Sequence, residues 1–137
     1  MCETLRDRED ITSRADIERL VDGFYERVRG DELLGPIFEA VAKTDWVRHL
    51  PKMYAFWEGV LFGGAGFRGD PLAVHRELAR HVPLGDREFR RWLDLFHENV
   101  DASFSGPCAE DIKARALRIA TVMQHHILSA PGALTSA

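Results

Sequence analysis

Two histidines lie on the apolar faces of predicted helices, where an imidazole is unusual. His75 shares a face with Leu72 and Ala79, and His49 shares one with Trp46, Leu50, Met53 and Trp57. The chemistry open to such an imidazole is hydrogen bonding, proton transfer or metal ligation. One buried histidine is most often a core residue bonded to a backbone carbonyl. Two of them on different helices, both among aromatic side chains, favour a shared site.

An apolar slot with an imidazole on each wall fits a flat apolar cofactor that has a metal at its centre. Haem is such a cofactor, with one histidine on the iron and the other facing its opposite side. Basic side chains near the two histidines would pair with the two propionates; they are Lys52, Arg68, Arg76 and Arg80. An ordinary core, in which both imidazoles bond carbonyls, is the alternative on spacing alone.

Other patterns in the chain offer competing chemistry, but none has the surroundings that it needs. Residues 64–69, GAGFRG, match a dinucleotide-binding loop, yet a predicted helix precedes them where a strand is required. A di-iron bundle needs two Glu-x-x-His pairs, and the chain has none. His125 and His126 are expected to interact with the dipole at a helix C-terminus, and His81 and His97 are expected at the surface.

The 137 residues have the composition of one globular domain, with 45% apolar and 29% charged residues. The net charge is -4 and the acidic and basic residues are interleaved, so no basic patch predicts nucleic-acid binding. No apolar run approaches the roughly 20 residues of a membrane span, and the N-terminus is charged, unlike a signal peptide. The two cysteines lack metal-ligand spacing. We therefore expect a cytoplasmic protein that binds neither nucleic acid nor membrane.

Helical periodicity predicts the elements that position the two histidines. Ser13 is the expected N-cap of the first helix and Gly30 its end, while Asp70 and Pro71 are expected to begin the third. Further helices are predicted at about 45–62, 86–104 and 107–128. No segment alternates with period two, so the fold is expected to be all-α. Residues 1–12 are expected to form a polar extension and 130–137 a tail, on either side of one domain over 13–129.

Three details of these helices have specific expectations. Pro51 lies inside the second helix, which either kinks there or has its regular part begin there. Residues 30–44 are expected to form short turns because they contain Gly35-Pro36. The apolar stripes of the last two helices are predicted to be Phe89, Trp92, Leu93, Phe96 and Val100, followed by Ile112, Ala116, Ile119, Ala120, Met123 and Ile127.

Five segments of the chain, taken together and in order, resemble the group III truncated haemoglobins. They are FYERVRGDELLGPIF, DWVRHLPKMYAFW, PLAVHREL, FRRWLDLF and IATVMQHHI, and the match runs in order from about Ile17 to Ile127. The resemblance implies a shortened globin fold, in which four main helices form a two-over-two sandwich around one haem b. The helices predicted above correspond to this fold in order.

The resemblance also implies a role for individual side chains. His75 corresponds to the proximal iron ligand, and His49 to the distal histidine, a candidate sixth ligand. Tyr25 and Trp92 correspond to hydrogen-bond donors that stabilise a bound ligand together with His49. The side chains implied to contact the cofactor are Phe38, Met53, Phe56 and Trp57. Lys52 and Arg76 are expected to contact its propionates because they are positively charged.

The implied activity is the binding of dioxygen, nitric oxide or carbon monoxide at iron. One hypothesis is a protein that stores, senses or carries dioxygen. Another is an enzyme that converts nitric oxide and dioxygen to nitrate, or a peroxidase. Polar donors in the pocket favour chemistry over delivery, and turnover would need a separate reductase as electron donor. A third hypothesis is a helical interaction module without a cofactor.

Overall fold

The computed structural model describes residues 8–41, 43–63, 71–81 and 84–129, and most of these residues are helical. The elements are α1 (Arg14–Arg29), a π-helix (Ile37–Val41), α2 (Trp46–Phe62), α3 (Pro71–Ala79), α4 (Asp86–Ser103) and α5 (Pro107–Ser129). Within the described ranges there is no strand, only an isolated bridge between Glu9 and Phe104. The all-α prediction is confirmed. None of the described helices is long and apolar enough to cross a bilayer.

The first helix begins and ends where the sequence predicts. The Ser13 hydroxyl accepts a hydrogen bond from the Asp16 amide at 3.3 Å, and Gly30 is the C-cap. The apolar face of α1 packs against both α2 and α4 and buries Ile17, Leu20, Val21, Phe24, Tyr25 and Val28. One edge of this face therefore carries Tyr25 towards α2.

The second helix is continuous through Pro51 and begins at Trp46. The Asp45 carbonyl accepts hydrogen bonds from the Arg48 and His49 amides at 3.1 and 2.8 Å. Pro51 has no amide hydrogen, so the carbonyl of Val47 lacks its usual helical partner. Because the regular helix begins before Pro51, His49 lies within it and not in a preceding turn.

The segment before α2 is short and irregular, as predicted. The Gly35 amide donates to the Asp31 carbonyl at 2.9 Å, and the π-helix Ile37–Val41 follows. π-Helical turns occur frequently at functional sites. This turn carries Phe38 and Glu39 towards the first turn of α2.

The predicted stripe of α4 lies on the face that packs against the core. Phe96 and Val100 are buried, Trp92 and Leu93 are half-buried against the core, and Phe89 is half-buried.

The sequence did not predict the burial of Leu95 and Asn99 on the same helix. The side-chain amide of Asn99 donates to the Leu20 carbonyl at 2.7 Å, a polar contact between α4 and α1. In α5, Ile119 and Met123 are half-buried, whereas Ala120 and Ile127 of the predicted stripe are buried.

Residues 8–12 pack against the corner between α4 and α5. Ile11 is 0% exposed. The carboxylate of Asp10 accepts hydrogen bonds from the backbone amides of Cys108 and Ala109, at 2.9 and 2.8 Å, in the first turn of α5. The packed part of the chain therefore begins before the first helix.

Replacing Asp10 with asparagine should lower the free energy of unfolding by about 1 kcal/mol at pH 7. An amide has one acceptor oxygen, so its NH2 group would face one of the two backbone donors. Partial burial raises the pKa of Asp10 but its backbone hydrogen bonds lower it more, so the pKa lies below 3.8. The stabilisation is therefore present above pH 3.8 and is lost as the pH falls through the folded-state pKa.

Urea unfolding at pH 7 and below pH 3 measures this effect. The difference between the wild type and Asp10→Asn should shrink at the lower pH. Asp111→Asn, which changes an exposed carboxylate paired with Arg115, is the matched control and should have little effect at pH 7. Equal stability of Asp10→Asn and wild type at pH 7 would exclude the capping role.

Substituting Gly23 with alanine should destabilise the protein by about 1–3 kcal/mol. A Cβ at Gly23 would lie 2.6 Å from Oδ1 of Asn99, whose amide is held by Leu20. In Gly30→Ala, the control, the nearest atom would be the Glu26 carbonyl oxygen at 3.7 Å. Urea unfolding of the apoprotein compares the stability of the two variants. Equal midpoints would show that the Asn99 side chain moves aside without lowering the free energy of unfolding.

Candidate functional site

The His75 imidazole is held in one orientation and one tautomer by its own helix. Its Nδ1 atom lies 2.7 Å from the carbonyl oxygen of Pro71, the first residue of α3. A carbonyl oxygen only accepts, so Nδ1 donates and Nε2 keeps its lone pair. Burial lowers the pKa of His75 more than the bond to Pro71 raises it, so the ring is neutral at pH 7. A neutral imidazole with a free Nε2 is the form that ligates a metal.

An aromatic cluster surrounds the His49 ring where α1, the π-helix and α2 meet. The ring centroid of His49 lies 5.1 Å from Tyr25, 5.6 Å from Trp46 and 6.4 Å from Phe38. Tyr25 in turn lies 5.8 Å from Phe38 and 5.3 Å from Trp46. The sequence prediction that aromatic side chains accompany His49 is therefore confirmed by the geometry.

The Nε2 atom of His49 is buried and has no hydrogen-bond partner among the described residues. Burial lowers the pKa of His49, the charge of Lys52 lowers it further, and the neighbouring imidazole of His75 has a smaller effect in the same direction. The imidazole of His49 is therefore neutral at pH 7.

Tyr25 is 6% exposed, with its ring against those of Phe24 and His49. Burial raises the pKa of its hydroxyl well above the ordinary value, so the group stays protonated. No hydrogen bond ties that hydroxyl to any residue in the described ranges.

The Trp92 indole is fixed from one side by a stack of aromatic rings. It is stacked on Phe96 at 5.4 Å and lies edge-on to Phe24 at 5.4 Å. Trp57, 3% exposed, lies 6.4 Å from Trp92 and 4.8 Å from Phe96. Trp57 is therefore a core side chain that supports Trp92. The half-buried Trp92 has its other face free of these rings.

The remaining predicted cofactor contacts lie at the margin of this region. Met53 and Phe56 are half-buried against the core, while Lys52 and Arg76 are exposed. Arg80 is exposed and paired with Glu77 at 3.4 Å. Arg68 and the GAGFRG loop lie outside the described residues.

The other histidines have ordinary surroundings. His81 is paired with Glu77 at 3.2 Å, and His97 bonds the Lys113 carbonyl at 3.2 Å. His125 and His126 are exposed. In the described ranges, no group of three or more His, Cys, Asp or Glu side chains is placed to hold a metal ion.

Sequence reasoning missed the polar contacts of Trp46. The indole N–H donates to Glu39 Oε1 at 3.1 Å, and the Arg29 guanidinium lies over the indole ring at 4.7 Å. Arg29 Nε also donates to Glu39 at 2.7 Å. Helical spacing assigns Trp46 to the apolar face of α2 and gives no sign of a partner on the preceding turn. These three residues are defined here as the Trp46 clamp.

The all-helical fold with His75 and His49 on neighbouring helices narrows the choice of family, and sequence comparison decides it. A sequence profile of the bacterial-like globins matches residues 8–129. The chain belongs to this family. Haem-based ligand binding follows from membership, in agreement with the tautomer of His75.

Known relatives of this globin place it close to one subgroup. It is 37% identical over 112 residues to a group 3 truncated haemoglobin of Campylobacter jejuni, an alignment that covers 80% of this chain and 86% of the relative. The crystal structure of the group III truncated haemoglobin from Campylobacter jejuni matches with a TM-score of 0.77 at 33% identity, covering 88% of this chain and 94% of that one. The predicted resemblance to group III truncated haemoglobins and the shortened globin fold are confirmed.

Proposed function

We propose that this globin holds haem b through Nε2 of His75 and binds dioxygen, nitric oxide or carbon monoxide beside Tyr25, His49 and Trp92. The observation that carries the proposal is the 2.7 Å contact between His75 Nδ1 and the Pro71 carbonyl. The proton on Nδ1 is donated in this hydrogen bond, so Nε2 carries a lone pair that can bind a metal. A carbonyl partner alone would also suit a core histidine, but the buried Nε2 of His49 has no partner among the described residues, which an ordinary core does not explain.

The side chains present fit a haem. The flat apolar surface would lie against Phe38, Met53 and Phe56, which are half-buried. Lys52 and Arg76 are exposed and would hold the two propionates. The chain contains no Cys-x-x-Cys-His segment for thioether attachment. Non-covalent haem b is therefore the form that the sequence supports.

The distal side chains would act as hydrogen-bond donors. When bound, haem supplies a ferrous iron that holds dioxygen and transfers negative charge to it. Tyr25 keeps its proton because burial raises its pKa, and it would donate to that charge. Trp92 would donate from the opposite side, with its indole held by Phe96 and Phe24. His49 would offer a third contact through its imidazole.

We propose turnover as a second function: one nitric oxide, one dioxygen and one electron give nitrate. Several donors around the ligand favour retention of dioxygen, which suits chemistry better than delivery. The electron would come from a separate reductase, and the location that we propose is the cytoplasm. Peroxidase-like activity and dioxygen storage or sensing are the competing uses of the same pocket.

Two measurements test these proposals separately. Acid–acetone should extract all of the haem from the reconstituted protein; haem left on the chain would contradict haem b. Nitrate formation should then be measured with nitric oxide, dioxygen and a flavin reductase. Stoichiometric nitrate over many turnovers supports the enzyme, whereas tight dioxygen binding without nitrate supports storage or sensing.

A further inference from the structure

Trp46 covers the corner of the distal pocket where Tyr25, Phe38 and His49 meet. We propose that Trp46 is a specificity-determining side chain that admits diatomic ligands to this pocket and excludes larger ones. The Trp46 clamp, formed with Arg29 and Glu39, keeps the indole in place. This proposal rests on the proposed function, since it concerns access to the same pocket.

The inner face of the indole touches the residues that line the pocket. Its ring is stacked on Phe38 at 5.8 Å with an interplanar angle of 23°. The Tyr25 and His49 rings lie 5.3 and 5.6 Å away. Tyr25 is buried, so the half-buried Trp46 stands between it and solvent at this corner.

The outer side of the indole is held by groups that lie in solvent. Arg29 and Glu39 have side-chain exposures of 51% and 45%, and their ion pair is 2.7 Å long. An exposed ion pair contributes little, typically below about 1 kcal/mol. The clamp is therefore strong enough to favour one position of the indole and weak enough to release it on a short timescale.

Glu39 lies in the π-helix and Trp46 is the first residue of α2. A change of rotamer at either side chain leaves the backbone hydrogen bonds of both elements intact. The contacts of Trp46 with Phe38, Tyr25 and His49 are contacts between rings. If the indole of Trp46 swings outward, these contacts are lost, but no hydrogen bond to a buried atom is broken. Movement of Trp46 alone would open the corner above Tyr25 and His49.

Association rates of two neutral ligands of different size test this role. Carbon monoxide and n-butyl isocyanide are mixed with the ferrous haem protein in stopped flow. In Glu39→Gln, which keeps the side-chain shape but loses the ion pair, isocyanide association should rise about threefold. In Trp46→Ala it should rise on the order of tenfold. The association rate of carbon monoxide should rise less in both variants, because this smaller ligand already enters the pocket past Trp46.

A second ion pair on the same helix provides the control. Arg14 and Glu58 lie 2.8 Å apart with side-chain exposures of 43% and 36%, on the α1–α2 surface. Glu58→Gln should leave both association rates unchanged. Raising the salt concentration should speed isocyanide association in the wild type and in Glu58→Gln, but not in Glu39→Gln, since screening weakens the clamp and neither ligand is charged.

Unchanged isocyanide rates in Glu39→Gln, or an equal gain for both ligands, would overturn the proposal, even if Trp46→Ala holds haem poorly. An equal effect of salt on the isocyanide association rates of Glu39→Gln and the wild type would also overturn the proposal. A protein that takes up haem and binds carbon monoxide but shows such rates contradicts only the role of Trp46. A protein that takes up no haem contradicts the proposed function itself.

Discussion

Replacing His75 with alanine should lower the affinity for haem on the order of 100-fold or more. Outer-sphere partners of a metal-binding histidine already contribute about 10- to 100-fold to metal affinity, and the ligand itself contributes more. His75 is the only described imidazole whose Nδ1 proton is fixed on a backbone carbonyl at 2.7 Å within its own helix. Haem transfer to an apoprotein acceptor, followed by the loss of Soret absorbance, measures the effect.

Two further variants separate ligation from folding. His81→Ala removes an exposed imidazole paired with Glu77, and haem affinity should stay at the wild-type value. His75→Gly leaves a cavity, and added imidazole should restore the five-coordinate spectrum there. Wild-type haem retention in His75→Ala would show that another side chain holds the iron.

Tyr25→Phe and Trp92→Phe should each raise the dioxygen dissociation rate by about 10- to 100-fold. A hydrogen bond to a charged partner contributes roughly 1.5–3 kcal/mol, which converts to this range. Tyr25 remains protonated at every physiological pH because burial raises its pKa. Stopped-flow displacement of dioxygen by carbon monoxide measures the rates. Carbon monoxide dissociation should change less, because its outer atom carries less charge.

Tyr54→Phe is the matched control for the tyrosine. The Tyr54 hydroxyl donates to Asp22 on the outer surface of α1 and α2. Its loss should leave dioxygen dissociation unchanged. Wild-type rates in both Tyr25→Phe and Trp92→Phe would exclude hydrogen bonding by these residues as the cause of retention.

The helices were predictable because local patterns determine them. The Ser13 cap, the end at Gly30 and the continuation of α2 to Phe62 all follow from side-chain chemistry and apolar spacing within a few residues. Pro51 left two alternatives, because a proline within the first turns of a helix loses only one hydrogen bond. Contacts with the rest of the fold, and not the local sequence, decided between them.

The half-buried positions were less predictable, because they depend on how helices rotate against one another. Asn99 is buried and bonds the Leu20 carbonyl, 79 residues away in the chain, which joins α4 to α1. The apolar pattern of α4 alone has no sign of that bond. In the same way, the hydrogen bond of Trp46 to Glu39 joins α2 to the π-helix across a turn whose shape the sequence does not specify.

The two histidines show how much of the site could be inferred from the sequence alone. Spacing placed His49 and His75 on apolar faces but left an ordinary core as an alternative for both. The structure gives the Nδ1 atom of His75 a carbonyl partner and leaves Nε2 of His49 without one in the described ranges. That asymmetry supports the proposed proximal role of His75 and distal role of His49, and only three-dimensional contacts reveal it.

The resonance Raman spectrum of the ferrous, ligand-free haem protein tests the central claim most directly. A neutral His75 bound through Nε2 should give an iron–imidazole stretching band that shifts when the protein contains ¹⁵N-histidine and disappears in His75→Ala. A band that persists unchanged in His75→Ala, or a haem complex without any isotope-sensitive band, would show that His75 does not hold the iron.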